Sequence, residues 1–174
     1  MHSPVIPTPW WVNLLILVPV CLYLVLRKKK TAIGRKQLLI AALFAIAFGF
    51  VEAAVVVYLR AATGLWPGPP SKVLGQLPRE LLNIERYREA ATIIMLVTIA
   101  ALLGQRVWQK AIAFLWAFAF WDIFYYVWLR VTIGWPGSLS DPDVLFLIPV
   151  PWLAQVWFPI LVSALTAVVI WIRS

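Results

Sequence analysis

Two residue types on which much enzyme chemistry depends are almost missing from this sequence. Its 174 residues include one cysteine, Cys21, and one histidine, His2, next to the start of the chain. Disulfides, thiolate or imidazole metal sites, haem sites with two histidine ligands and Ser-His-Asp triads cannot be built from these two side chains. The sequence therefore predicts no metal site of these types, and it leaves the cofactor unassigned.

Charged side chains are also scarce, and this scarcity excludes a water-soluble domain. Charged residues make up 13% of the chain and hydrophobic residues 63%. A soluble domain of this size leaves much of its surface in contact with water, and so few charges cannot cover that surface. We therefore predict an integral membrane protein whose solvent is lipid.

Five apolar stretches are long enough to cross the hydrocarbon core, which takes about 20 helical residues. The first is followed, not preceded, by a positive cluster at residues 27–30, so we interpret it as a retained helix and not as a cleaved signal. The predicted fold is an all-α bundle of five transmembrane helices in a single domain, 1–174. The predicted spans are residues 9–26, 38–59, 87–103, 111–133 and 152–172.

The distribution of basic residues predicts the orientation of these spans. One set of loops and ends carries nine Lys and Arg residues and no acid, and such loops lie in the cytoplasm. The amino terminus is then outside and the carboxy terminus inside. Because the basic residues flank membrane spans, we expect anionic lipid headgroups as partners and no nucleic acid. The nine are Arg27, Lys28, Lys29, Lys30, Arg35, Lys36, Arg106, Lys110 and Arg173.

Part of the sequence is similar to another part of the same chain. Residues 34–64 and 104–134 share ten identities in 31 positions without a gap, and residues 66–68 then match residues 135–137 as Trp-Pro-Gly. Hydrophobic composition alone does not explain the shared Arg, Gly and Trp-Pro-Gly. We predict a parallel two-helix repeat of spans 2–3 and 4–5, with an added first span at 1–33 and copies at 34–103 and 104–174.

The repeat aligns two acids, Glu52 and Asp122, which are the acids predicted to lie in the apolar interior. A carboxylate in the bilayer must find a partner, face water or stay protonated. Two interpretations remain open. The acids form a structural hydrogen-bonded pair that sets helix register, or they are the catalytic or ligand-binding acids of a site, with Arg60 and Arg130 near its outer mouth.

Other polar side chains are predicted to converge on the same outer half. We include Tyr58, Tyr125, Tyr126, Glu89 and Asp143 as candidate ligand-binding residues. Pro149 and Pro151 forbid a regular helix in residues 144–152, which favours either a re-entrant segment lining a cavity or an ordinary lead-in to the fifth span. Residues 79–89 have the spacing of an interfacial helix with solvated Glu85/Arg88 and Arg86/Glu89 pairs.

Four strings carry a resemblance to a known group of proteins. Residues 48–60, 88–92, 121–126 and 143–152 resemble a family of small bacterial polytopic membrane proteins with no assigned activity. This resemblance implies a bacterial inner-membrane location and no function. Trp121-Asp122 and the acidic, proline-containing stretch at 143–151 are also similar to the membrane lycopene cyclases, although Asp143 stands alone where that family has paired glutamates.

Two functional hypotheses follow. The first is an acid-lined intramembrane cavity that binds a lipid-like or small amphipathic ligand. Glu52 and Asp122 would then carry out proton chemistry, such as isomerisation or cyclisation of an isoprenoid, or proton-coupled transport. The alternative is a non-catalytic subunit or assembly factor of a larger membrane complex, with partner membrane subunits or further copies of this chain.

Overall fold

The computed structural model describes residues 6–28, 31, 33–64 and 77–174. Within these residues the chain forms five α-helices and one two-stranded sheet, so the helical prediction is confirmed and the sheet is an addition to it. His2, Lys29, Lys30 and the 66–68 half of the Trp-Pro-Gly match lie outside the described residues. The elements are a 3-10 segment Trp10–Ile16, α1 Leu17–Leu26, α2 Arg35–Ala62, α3 Arg79–Leu103, α4 Val107–Ile133, β1 Pro142–Phe146, β2 Trp152–Gln155 and α5 Trp157–Ile172.

Two of the described helices are long and apolar enough to cross a membrane. These are α2, with 28 residues, and α4, with 27. At about 1.5 Å per residue each is roughly 40 Å long, which exceeds the hydrocarbon thickness of a bilayer. The segments Trp10–Leu26 and Trp157–Ile172 are apolar but shorter, and α3 begins with a charged first half. The lengths and composition of α2 and α4 favour membrane association.

Helix α4 is the centre of the bundle, and α2, α3 and α5 all pack against it. The contact with α2 is close at Gly49, where a Cβ atom would lie 3.0 Å from the carbonyl oxygen of Trp121 and 3.2 Å from the backbone nitrogen of Tyr125. Both of these neighbours are backbone atoms, which a side-chain rotation cannot move. A glycine at this position therefore allows the two backbones to approach.

Two tryptophans of α4 hold the same interface through their indole N–H groups. Trp116 donates a hydrogen bond of 2.7 Å to the carbonyl oxygen of Leu38, and Trp128 donates one of 2.9 Å to that of Ile46. Trp116 also stacks on Trp171 of α5. These contacts give Trp116 and Trp128 a packing role between the helices.

The segment between α4 and α5 folds as an antiparallel β-hairpin, not as a helix start. The strands pair Asp143 with Ala154 and Val144 with Leu153, and Thr8 adds a bridge to Leu153 through hydrogen bonds of 2.8 and 2.7 Å. Pro149 lies in the connection between the strands, where no helix can form. The fifth helix therefore begins at residue 157, five residues later than the span predicted from hydropathy.

The basic residues that are predicted to be cytoplasmic, as far as the structure describes them, lie at the end of the bundle opposite the hairpin. At the basic end, the backbone N–H of Thr31 donates a hydrogen bond of 3.2 Å to the carbonyl oxygen of Arg173. The guanidinium of Arg35 lies 5.3 Å from the ring centroid of Trp171 at this same end. The hairpin follows the carboxy end of α4, so it covers the opposite end of the bundle.

Large apolar side chains point outward from every helix. Examples from α2, α3, α4 and α5 are Leu43, Ile94, Val131 and Val168, which are 69%, 64%, 70% and 55% exposed. In water each of these side chains would lose the free energy of apolar burial, about 25 cal/mol per Å². An apolar exterior on all sides of a bundle is what a lipid environment favours.

Candidate functional site

Six of the nine predicted site residues line one small polar chamber of about 50 Å³ near the hairpin. They come from α2, α3, α4 and β1, so the chamber exists only when these four elements are packed together. The lining residues are Glu52, Arg88, Glu89, Thr92, Trp121, Asp122, Tyr125, Tyr126, Asp143, Val144, Leu145 and Phe146.

Glu52 lies on the α2 side of this chamber and is buried, with 4% of its surface exposed. Its carboxylate forms an ion pair with Arg88 and accepts a hydrogen bond from the hydroxyl of Thr92. The same guanidinium binds Glu85 through Nη2 at 2.7 Å and Nε at 3.1 Å. One arginine of α3 therefore bridges two carboxylates and balances the charge of one of them.

Asp122 lies on α4, and Ser163 of α5 donates a hydrogen bond of 2.7 Å to its carboxylate. Both side chains are buried. No hydrogen bond joins Asp122 to Glu52 among the described residues. The two acids line the same chamber, and each accepts a hydrogen bond from a hydroxyl on the helix that follows its own in the chain.

Glu89 connects α3 to the hairpin. Its two carboxylate oxygens accept the backbone N–H of Leu147 at 3.0 and 2.8 Å. The interpretation of residues 79–89 as a solvated interfacial helix is therefore wrong for Glu85 and Glu89, which are buried. Arg86 does not pair with Glu89 but donates to Asn83 at 3.1 Å, because the tertiary fold turns Glu89 towards the hairpin.

Asp143 of β1 is 2% exposed and accepts a hydrogen bond of 2.8 Å from the phenol of Tyr126. Burial raises the pKa of Asp143 to about 6, while the bonds from Tyr126 and from the backbone of Val144 and the charge of Arg60 act in the opposite direction. The burial effect is the largest of these because the side chain is fully enclosed.

The remaining three predicted residues lie outside the chamber lining. Arg60 is buried, with its guanidinium 5.2 Å from the ring centroid of Trp135, and its Nη2 has no hydrogen-bond partner among the described residues. Arg130 is exposed and donates to the carbonyl oxygens of Gly134 and Pro136, so it closes the end of its own helix. Tyr58 is 71% exposed and points away from the site.

A larger apolar cavity of about 530 Å³ adjoins the chamber. Glu89, Asp122, Leu145 and Phe146 line both spaces, so they form the boundary between them. The cavity lies between α3 and α5 on the face of α4, beneath the hairpin and beside the first helix. Its other lining residues are Leu15, Val18, Ala90, Ile93, Ile94, Phe114, Leu115, Phe118, Ala119, Ile148, Trp152, Phe158, Pro159, Val162, Ser163 and Thr166.

The chamber and its surroundings contain more acids than bases. Two arginines, Arg60 and Arg88, lie near five buried carboxyl groups. These belong to Glu52, Glu85, Glu89, Asp122 and Asp143. In the described part of the chain no three His, Cys, Asp or Glu side chains are grouped so as to hold a metal ion. The arrangement suits the transfer of a proton or the binding of a hydrogen-bond donor at the inner end of an apolar space.

Sequence reasoning missed several residues of this site: Glu85, Arg88, Thr92 and Ser163, and the apolar wall of the cavity. A signal was present for the first three. Arg88, Glu89 and Thr92 follow Glu85 at offsets of three, four and seven residues, which places all four on one face of a helix. For Ser163 the sequence contains no such signal, because a lone serine in an apolar helix is common.

Comparisons with protein-family models, with curated proteins and with solved structures found no match to this chain.

Proposed function

We propose that this chain is an integral membrane protein that binds a lipid-like or small amphipathic ligand in the cavity between α3, α4 and α5. The ligand's apolar part fills the cavity, and its polar end meets the boundary residues Glu89 and Asp122. The observation that supports the proposal is that an almost wholly apolar cavity ends at buried carboxyl groups. Its volume lies within the range of about 300–1,000 Å³ that is typical of ligand sites.

The proposed membrane arrangement has five spans, with the amino terminus outside and the carboxy terminus in the cytoplasm. The segment Trp10–Leu26, α2, α3, α4 and α5 would be the spans. Support comes from the outward apolar side chains on all of these helices and from the acid-free basic end of the bundle. Anionic headgroups of the inner leaflet would contact that end, and the hairpin would face outside.

The proposed duplication explains several local similarities between the two helix pairs. Phe44 and Phe48 in α2 have ring centroids 5.8 Å apart, and the aligned Phe114 and Phe118 in α4 have centroids 5.9 Å apart. The aligned glycines 64 and 134 have positive φ angles of 68° and 71° just beyond the ends of their helices. These similarities involve aligned positions only, which supports a common ancestor for the two halves.

The ligand would enter from the side of the bundle. Ile94 of α3 and Ile148 of the hairpin line the cavity, and they are 64% and 40% exposed, so the cavity reaches the outer surface of the bundle near them. A molecule dissolved in the bilayer could thus pass from lipid into the cavity without crossing water. Asp122, hydrogen-bonded to Ser163, would then give a proton to the polar end of the ligand or take one from it.

A cavity-filling substitution tests this proposal. Ala90 lines the cavity, whereas its neighbour Ala91 faces outward, so Ala90→Phe and Ala91→Phe add the same side chain inside and outside the site. We expect Ala90→Phe to weaken the binding of radiolabelled dodecanol to the protein in phosphatidylcholine nanodiscs at least fivefold, and Ala91→Phe to leave it unchanged. Empty nanodiscs give the background. Equal binding by the two variants, or no binding above background by the unaltered protein, would refute the proposal.

A further inference from the structure

The charges around the cavity restrict the head group of its ligand. Arg88 lines the chamber, and its guanidinium is already bound to Glu52 and Glu85. Arg60 lies against Trp135 and acts on Asp143. Glu89 and Asp122 accept hydrogen bonds from uncharged donors, the N–H of Leu147 and the hydroxyl of Ser163.

Glu89 and Asp122 are therefore the two boundary carboxyls for which the described structure provides no paired cation. The charges of Arg88 and Arg86 act on Glu89 from a distance, but neither arginine forms an ion pair with it. The guanidinium of Arg86 is exposed and is directed to Asn83. Unpaired carboxylates in an apolar environment are costly, and a cation that binds beside them offsets part of this cost. An anionic head group at the same position would add a further like charge.

Aromatic side chains surround these carboxyls, and one of them has a buried N–H without a partner among the described residues. Trp121, Tyr125, Tyr126 and Phe146 line the chamber, and aromatic faces attract ammonium groups. Trp121 is 7% exposed, and its indole N–H has no hydrogen-bond partner among the described residues. The chain itself provides no acceptor for this buried donor among the described residues. An ammonium group has only N–H donors, so it would contact this indole through the ring face and not through the indole N–H.

We infer that the ligand is a long-chain amine, whose hydrocarbon chain occupies the apolar cavity and whose ammonium group binds between Glu89 and Asp122. This inference rests on the proposed function and narrows it to one class of ligand. It predicts a strong dependence of binding on the charge of the head group at constant chain length. An ammonium of this kind has a pKa close to that of lysine, about 10.4, and is charged at pH 7.5.

Three probes of equal chain length test the inference: dodecylamine, dodecanol and dodecanoate, each bound to the protein in phosphatidylcholine nanodiscs at pH 7.5. We expect dodecylamine to bind at least tenfold more tightly than the other two. Asp122→Asn and Glu89→Gln should each weaken dodecylamine binding at least fivefold and leave dodecanol binding within twofold. Retained dodecanol binding also shows that each variant is folded.

Glu80→Gln is the matched control, because it removes one carboxylate from the exposed start of the same helix as Glu89. It should leave all three affinities unchanged. Two results would overturn the amine inference and leave the cavity proposal unaffected. In the first, dodecanol or dodecanoate binds as tightly as dodecylamine. In the second, Glu80→Gln and Glu89→Gln lose the same amount of dodecylamine affinity. If none of the three probes binds above empty nanodiscs, the proposed function itself fails.

Discussion

The hydroxyl of Thr92 donates a hydrogen bond to the carboxylate of Glu52, which precedes it by 40 residues in the chain. The second half of the molecule contains the same relationship, because Ser163 donates to Asp122 from 41 residues away. In both cases an acid on one helix is held by a hydroxyl on the next helix of the proposed repeat. The two carboxyls thereby line the same chamber, and each is held by its own hydroxyl donor.

Removing the Thr92 hydroxyl should destabilise the protein. Thr92→Val keeps the shape of the side chain but leaves Glu52 without this donor, and hydrogen bonds to charged groups contribute about 1.5–3 kcal/mol. Thr98→Val is the control, because Thr98 is exposed and its hydroxyl bonds to Ile94 of its own helix. Thermal unfolding in detergent should show a lower Tm for Thr92→Val and little change for Thr98→Val. Equal Tm values would contradict a stabilising role for the hydroxyl.

Replacing Arg88 should have a larger effect. Arg88→Met removes the cation shared by Glu52 and Glu85, and breaking a buried ion pair in this way costs about 3–5 kcal/mol. We expect the folded protein in detergent to lose most of its thermal stability, and Glu52→Gln in the same chain to restore part of it. Arg86→Met, at an exposed position of the same helix, should unfold close to the unaltered protein. A normal Tm for Arg88→Met would show that the pair contributes little.

The contact at Gly49 predicts a steric effect on helix packing. The Cβ atom of a valine there would lie 3.0 Å from the carbonyl oxygen of Trp121, and its two methyl groups would add further contacts with the backbone of α4. Helices α2 and α4 must therefore separate. We expect Gly49→Val to lower the Tm and to weaken dodecanol binding, since the acids of both helices would shift. Ala47→Val adds the same side chain at an exposed position of α2 and should change neither measurement. A fully stable Gly49→Val variant would contradict the close approach of the helices.

Asp143 predicts a dependence of stability on pH. Its pKa is about 6 when folded and about 3.9 in an unfolded chain, so folding favours its protonated form. The stability that Asp143 contributes is present below about pH 4 and is lost as the pH rises through 6. The Tm of the unaltered protein minus that of Asp143→Asn should therefore be smaller at pH 7.5 than at pH 4.5. If the Tm difference were instead larger at pH 7.5 than at pH 4.5, the carboxyl group of Asp143 would be ionised in the folded protein at low pH, which would contradict this prediction.

The proposed orientation can be measured by cysteine labelling. After Cys21→Ser, a single cysteine is placed either at Ser140, in the loop before the hairpin, or at Gln105, between α3 and α4; both positions are exposed. A membrane-impermeant maleimide should label Ser140→Cys in intact spheroplasts and Gln105→Cys only after permeabilisation. The reverse pattern would invert the orientation, and labelling of both in intact spheroplasts would contradict α4 as a span.

Particular residues show how far the sequence predicts the site. Glu52 and Asp122 were identified because a carboxylate in an apolar helix is costly and the alignment places the two at equal positions. Arg88 was assigned to a solvated surface, since its spacing from Glu85 is typical of an exposed helical pair. The structure keeps the pair with Glu85 but buries it, and it also directs Arg88 to Glu52 on another helix. No local pattern encodes that second contact, because the two residues lie 36 positions apart.

Composition and hydropathy by themselves determine that this chain is helical and apolar on its outside, because each helix must satisfy its own backbone hydrogen bonds and so few charges are available. They also exclude a helix around Pro149 and Pro151. Tertiary structure alone decides that this segment pairs as a hairpin, that Glu89 turns to the N–H of Leu147, and that a cavity remains between α3 and α5. The physical reason is that these features depend on which surfaces meet across the bundle, and side-chain complementarity between distant segments has no periodicity in the sequence.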